Sequence, residues 1–418
     1  MKPMKTLIKT ITIGGFMLFN FATVSKAQDS TQIDKPNKPG GSNTKFLLAG
    51  KAQMSCTNTI TQMPGSPDVK ANTFFPDAFM LMPLVKVNNK LFLDAQIEVD
   101  ANGIGGGSSI NLNELIVYYR VAPALSIFAG NFSPKYGLYA GVLDDFTNRY
   151  CTDPIGMSRG PSTQTGIGIQ GGVQAGYSKF NYQLYVANGP QMTVDSTTKG
   201  SNNLTGQLTY GNYSDNNMNK AIGGSIGFLP FSNSSLQIDV SGQWAGKVGT
   251  TGTPFENISS TSFAADLNYY HVFSPIMVRV LAEYNSTTTK NYNYPWYSDS
   301  TKSSYLIPTF NNQFSGWFCG ATVRASGSGH AFLSNLELGA RVGGYTPPSY
   351  VNDKDKYTNY PNQTGLQSPW GENPETQTTV CLTYWLTWKT PLNIAYDVLK
   401  MSNGPTVTTY TARLIYFF

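Results

Sequence analysis

Charge is scarce in this chain of 418 residues: Asp, Glu, Lys and Arg together make up 13% of it, about half the usual ~25%. Histidine is scarcer, with His271 and His330 alone. The four cysteines, Cys56, Cys151, Cys319 and Cys381, lack CxxC or metal spacing, which argues against a structural metal site. No stretch beyond the N-terminus reaches the ~18 apolar residues that mark a membrane helix. Each shortage removes a class of protein. Low charge and a balanced sign leave nothing to hold nucleic acid. Two histidines leave little for acid–base or nucleophilic catalysis, so an enzyme is not expected. Gly (41), Tyr (25) and Phe (23), with Asn, Ser and Thr, take the place of charge. That composition suits a β-protein.

The N-terminus reads as an export signal. Lys2, Lys5 and Lys9 precede an apolar run from Ile11 to Val24, and Ser25-Lys26-Ala27 offers small residues at both recognition positions before a cut. The run is roughly 14 residues, short of the ~20 a spanning helix needs. Residues 1–27 are therefore assigned to a signal peptide and 28–44, rich in Pro and Gly, to a flexible periplasmic lead-in. Of the formal net charge of +5, four units belong to Lys2, Lys5, Lys9 and Lys26, so the remainder is nearly neutral.

The last stretch organises the rest. Tyr410, Ala412, Leu414, Tyr416 and Phe418 alternate with Thr409, Thr411 and Arg413. Successive strand side chains point to opposite faces, so one face suits lipid and the other water. A terminal strand of this kind must close against the first, because an open edge cannot survive in hydrocarbon. Tyr410, Leu414, Tyr416 and Phe418 are the candidate closure and assembly residues.

Alternating runs recur from residue 45 to 418. The expected strands begin with Lys45–Met54, followed by a loop to about Asn72, and Phe332–Gly343 is another. Short turns at 87–89, 121–123, 177–178, 231–233, 272–274, 326–331 and 390–391 fall on one side. Long loops at 132–163, 189–219, 246–259, 286–312 and 344–375 fall on the other. The pattern predicts an all-β transmembrane antiparallel barrel of sixteen strands, or eighteen if Leu204–Tyr210 contributes. The Gly pairs 171–172 and 223–224 are candidate bulges. Cys56 and Cys151 fall in predicted loops on the same side and could pair; otherwise all four thiols stay single.

Two faces emerge by alternation. Ile167, Ile169, Phe180, Leu184, Val278, Leu338, Val342, Ile394 and Val398 face outward without a charge among them. Asp94, Glu98, Asp100, Glu114, Asp239, Asp266, Glu283, Glu337 and Asp397 face inward, with Arg120, Arg279, Arg324, Arg341 and Arg413. The 132–163 loop carries Lys135, Asp144, Asp145, Arg149, Asp153 and Arg159. Folded into the lumen, it would narrow the pore, and its charges with those of the wall would set which ions pass. The alternative is a solvated surface loop. Tyr118, Tyr119, Tyr269, Tyr270, Tyr384, Trp385, Trp388, Tyr416 and Phe418 read as interfacial girdles. Tyr292, Tyr294, Trp296 and Tyr297 sit in an external loop, where they pack or stack on a partner. Asp353-Lys354-Asp355 reads as a solvated cluster, and the Gly-rich 101–108 stretch as a connection. No metal or cofactor is expected.

Asn131-Phe132-Ser133-Pro134-Lys135-Tyr136-Gly137, Gly166-Ile167-Gly168-Ile169-Gln170-Gly171 and Tyr185-Val186-Ala187-Asn188-Gly189-Pro190 resemble the central part of Gram-negative porins, the sixteen-stranded general and phosphate-selective superfamily. The signal region and low charge are similar to those of Bacteroidetes-type outer-membrane barrels. The resemblance covers about residues 90–245. It implies a trimeric diffusion channel for small hydrophilic solutes or ions, with an inward-folded third loop, in the outer membrane. Its partners would be membrane lipid and the barrel-assembly machinery. The lysine-rich filter of the phosphate-selective type is missing here. The competing reading is a plugged, structural or adhesive barrel that presents loops 286–312 and 344–375.

Overall fold

Tight turns set the architecture. Asn88 accepts hydrogen bonds from the backbone N–H groups of Lys90 (2.8 Å) and Leu91 (2.9 Å), an Asx turn that reverses the chain between two alternating runs. Repeated along the chain, such reversals give strands that each pair antiparallel with the next. A computed structural model describes residues 44–101, 108–138, 148–193, 206–253, 255–290, 296–297, 305–306, 310–350, 370, 372–402 and 404–418. The expected signal peptide, most of the expected lead-in, residues 102–107 of the Gly-rich connection, Asp144, Asp145, Tyr292, Tyr294 and Asp353–Asp355 lie outside the described residues.

The barrel strands are β1 (Lys45–Gln62), β2 (Val69–Lys86), β3 (Leu91–Ala101), β4 (Ser108–Ala122), β5 (Leu125–Phe132), β6 (Gln164–Ala175), β7 (Ser178–Ala187) and β8 (Ala221–Leu229). They continue as β9 (Leu236–Ala245), β10 (Ser260–Phe273), β11 (Ile276–Thr289), β12 (Gln313–Arg324), β13 (Leu336–Thr346), β14 (Glu375–Thr387), β15 (Thr390–Met401) and β16 (Thr406–Phe417). They form one closed barrel in sequence order. Closure joins β1 to β16, with register from Lys51 opposite Phe417 to Gln62 opposite Thr406. The barrel thus has no open edge along this seam, as a membrane demands.

The seam ends on Phe418. Gly50 and Phe418 exchange backbone hydrogen bonds of 3.2 and 3.1 Å. The Phe418 ring stacks on Phe79 at 6.1 Å and Tyr416 at 6.3 Å. A Cβ at Gly50 would stand 2.4 Å from both the Met80 carbonyl and the Phe418 ring. Only glycine lets the ring lie there.

The outward face is apolar and open to the surroundings: Ile167, Leu184, Ile226, Leu338, Val380 and Ile394 are all about half exposed or more. The inward face is polar yet buried, holding Lys51, Glu98, Glu114, Asp266, Glu283, Glu337, Arg341, Asp397 and Arg413. In a water-soluble protein these positions would be reversed. No helix among the described residues is long and apolar enough to cross a membrane, and the barrel needs none.

Several boundaries differ from the sequence reading. β1 runs past Met54 to Gln62, and β2 resumes at Val69, so Cys56 lies in a strand. All four cysteines are free thiols. Leu208–Thr209 pairs only with Gln191–Met192, in a small sheet outside the barrel. Ala331–Ser334 is a short helix, so Phe332 precedes β13 rather than opening it. Pairing runs unbroken through both Gly pairs. The register shifts fall instead at Gln53/Met54, Gln96/Ile97, Arg120/Ala122 and Trp385/Thr387. The space at Gly223 is filled by the Tyr185 ring. The girdle also divides. Tyr119 and Trp388 are exposed, whereas Tyr118 packs against a buried cluster and Trp385 turns inward.

Candidate functional site

The 132–163 loop is rooted inside the barrel by aromatic packing. Phe132 meets Phe128 edge-on at 4.8 Å and Tyr185 at 5.4 Å, with Ile116 and Ala187 completing the cluster. From there the chain leaves β5 and follows the inner wall. Ser133 N–H donates to Glu114 Oε1 on β4 (3.1 Å), and Lys135 N–H to Gln183 Oε1 on β7 (2.9 Å). Gly137 N–H donates to Ser241 Oγ on β9 (3.1 Å), Tyr136 Oη to the Phe263 carbonyl on β10 (2.9 Å), and Leu138 N–H to Glu283 Oε2 on β11 (2.8 Å). Gly137 has φ +64°, and a Cβ there would lie 2.2 Å from Glu283 Oε1.

The second described limb lies against the last strands. Arg413 on β16 donates to the Asn148 carbonyl at 2.7 Å. Tyr150 Oη reaches the carbonyls of Ala321 and Ala340 on β12 and β13, both at 3.3 Å. Arg341 donates to the Thr152 carbonyl (2.9 Å), Thr152 Oγ1 (3.0 Å) and the Asp153 carbonyl (3.2 Å), and its guanidinium covers the Tyr150 ring. Thr152 Oγ1 in turn donates to Asp397 Oδ1 on β15 (3.2 Å), and Ile155 N–H to Gln377 Oε1 on β14 (3.1 Å). Met157 packs with Leu138, Leu281 and Phe318. Buried backbone groups of a loop must find partners, and here the polar wall supplies them.

The candidate residues separate into three groups. Arg149, Arg279, Arg324, Arg341 and Arg413 gather on the arc from β11 to β16. Trp385 lies between two guanidiniums, with Arg149 at 4.8 Å and Arg324 at 5.1 Å from its ring, and donates Nε1–H to Glu337 Oε2 at 3.1 Å. Arg279 sits among Arg149, Glu337 and Tyr150. Arg159 is ion-paired to Glu372 and covers Tyr345. The acids Asp77, Asp94, Glu98 and Glu114 lie on β2, β3 and β4. Lys51 stands 3.9 Å from Glu98, and Arg120 lies over Phe92 near the turn end. Lys135 is within electrostatic reach of Asp239. A third row runs across three paired strands, with Asp239 opposite Asp266 and Asp266 opposite Glu283.

Sequence reasoning placed the wall charges but missed Gly137, Thr152, Gln377, Glu372 and the inward Trp385. Alternation could have found Trp385, since it shares a face with Cys381 and Thr383. His271 packs between Tyr269 and Phe273 at a turn, away from this arrangement. In the loops, Lys247 holds the half-buried Glu256 carboxylate below its usual range. Burial pushes the Tyr210 phenol up to about 12, while its hydrogen bonds to Ser262 and Thr287 act the other way.

Arg341→Met should detach residues 152–153 from the wall. Charged hydrogen bonds contribute about 1.5–3 kcal/mol each. The variant is expected to lose on the order of 3 kcal/mol, read as a lower guanidinium midpoint in detergent. An unchanged midpoint would show that this anchor contributes nothing.

No family model matches the chain, and a search of curated proteins returned no match. Solved structures do match. The outer membrane channel DcaP of Acinetobacter baumannii aligns over 92% of this chain and 100% of its own, at 13% identity and TM-score 0.54. An anion-selective porin from Comamonas acidovorans aligns over 90% and 100%, at 12% and 0.52. OmpF of Salmonella typhi, in complex with daunomycin, aligns over 90% and 98%, at 11% and 0.50. At such identities the likeness is one of fold alone, that of the closed antiparallel barrel.

Proposed function

We propose that the chain is an outer-membrane porin, a passive channel for small hydrophilic solutes or ions, narrowed by the 132–163 loop and performing no chemistry. The observation that carries this reading is the course of the loop's two described limbs along the inner wall, tied to strands from β4 round to β16. A loop held there by wall side chains reduces the bore without filling it by chance collapse. On this reading residues 1–27 are cleaved, the barrel-assembly machinery inserts the product, lipid covers the apolar belt, and three copies assemble.

The charge layout supports a cation preference. The arginines of β13 and β16, with Arg149, are committed to the loop or to Trp385 on one arc of the wall. Asp77, Asp94 and Glu98 lie on β2 and β3, outside the run of strands from β4 to β16 to which the loop's described limbs are tied. An acid-lined passage favours cations. Single-channel recording in planar bilayers tests both parts. Stable conductance steps and a reversal potential of cationic sign in a KCl gradient are expected. Folded protein that gives no steps would overturn the reading in favour of the plugged, adhesive barrel, and an anionic sign would overturn the charge assignment.

A further inference from the structure

At the loop end of the barrel, four separate stretches converge on a cavity of about 300 Å³. Arg159 and Ser162 come from the returning limb of the 132–163 loop. Gln207 and Tyr210 flank the two-residue strand Leu208–Thr209. Phe314 is the second residue of β12, and Trp370 lies between β13 and β14. Phe314 and Trp370 pack at 5.8 Å with their planes 54° apart. Both rings are buried and border a space that is also lined by an amide, two hydroxyls and a guanidinium.

We propose that this cavity binds one ring of a neutral sugar, as a capture site ahead of the narrow part of the channel; the proposal rests on the porin reading. Charge argues for an uncharged ligand. Arg159 is already answered by Glu372, which also accepts a 2.6 Å hydrogen bond from Tyr345 Oη. An anion would have to displace that carboxylate. Polarity argues against a hydrocarbon. Gln207 Nε2 is buried and has no hydrogen-bond partner among the described residues, and buried polar groups are ordinarily paired. A sugar hydroxyl can accept from that amide while the apolar C–H face of the ring lies on Phe314 or Trp370. Size fits as well, since small-molecule sites begin at about 300 Å³.

The experiment is glucose block of the ion current through the reconstituted full-length protein. Glucose should lower the current saturably, and Gln207→Leu and Trp370→Ala should each weaken the block about tenfold, the equivalent of one good hydrogen bond or stacking contact. Trp388→Ala, on the outer surface near the opposite end, should leave it unchanged. A current that falls only in proportion to viscosity, equally in Gln207→Leu, would overturn the sugar site while leaving the porin reading intact. Saturable block by benzoate but not by glucose would also overturn it, in favour of an aromatic anion. A folded protein without current would remove the porin reading instead, and equilibrium dialysis with labelled glucose would then decide the site by itself: retention by the parent but not by Gln207→Leu supports it, and no retention overturns it.

Discussion

Gly137→Val channels should conduct roughly twice as much as the parent, with a weaker ion preference, because the narrowing loop would lose its seat. Two effects combine at this position. The backbone is left-handed, at φ +64°, a conformation that costs a β-branched residue on the order of 1–3 kcal/mol. The added side chain would also meet the Glu283 carboxylate, which has little freedom to retreat. Glu283 is buried, accepts from Leu138 N–H and lies 3.5 Å from the Asn285 amide. The easiest relief is for residues 136–138 to leave the wall, releasing the hydrogen bonds to Ser241, Phe263 and Glu283 together. Single-channel conductance and reversal potential in the same bilayers measure this. A variant indistinguishable from the parent would mean that the narrowest point lies elsewhere.

Gly50→Val should all but abolish the folded barrel. The substitution drives a side chain into the Met80 carbonyl and the Phe418 ring at once. It breaks the reciprocal hydrogen bonds that finish the β1–β16 seam. An unfinished seam leaves backbone groups facing hydrocarbon, each costing several kcal/mol. Phe418→Ala should act in the same direction but less strongly, since it removes the stacking on Phe79 and Tyr416 and spares the backbone pair. The compact form that migrates faster on unheated SDS gels reports folding. If Gly50→Val yields that form at the parental level, the terminal ring is not essential to closure.

Much of this was legible because a strand face is a local property. Leu336, Leu338, Ala340 and Val342 alternate with Glu337 and Arg341 within eight residues, and no distant information is needed to read them. The far half of β1 and the first residues of β2 were not legible, because Ser55-Cys56-Thr57-Asn58-Thr59 lacks apolar alternation. The strand expected after Asn72 already runs through Pro76. In the barrel Pro76 stands opposite Met54, beside the register shift, where a missing donor is tolerated. The site divides the same way. Alternation assigned Arg341 and Arg413 to the inner wall. It could not say that a loop, rather than water, would accept their hydrogen bonds. Those partners lie 189 and 265 residues away in sequence, and nothing local announces them. Sidedness of the loop was legible from turn lengths, while its anchors at Gly137 and Thr152 were not.

The loop's anchors also fix an order of events. Thr152 meets Asp397 across 245 residues, and Asn148 meets Arg413 across 265. Neither contact can form until the last two strands have arrived. Closing chain segments of that length is entropically costly and slow. On the proposed porin reading, a nascent barrel passes through a wide stage before its interior is partitioned; the bore is set last, and any barrel caught before that point would be leaky rather than selective.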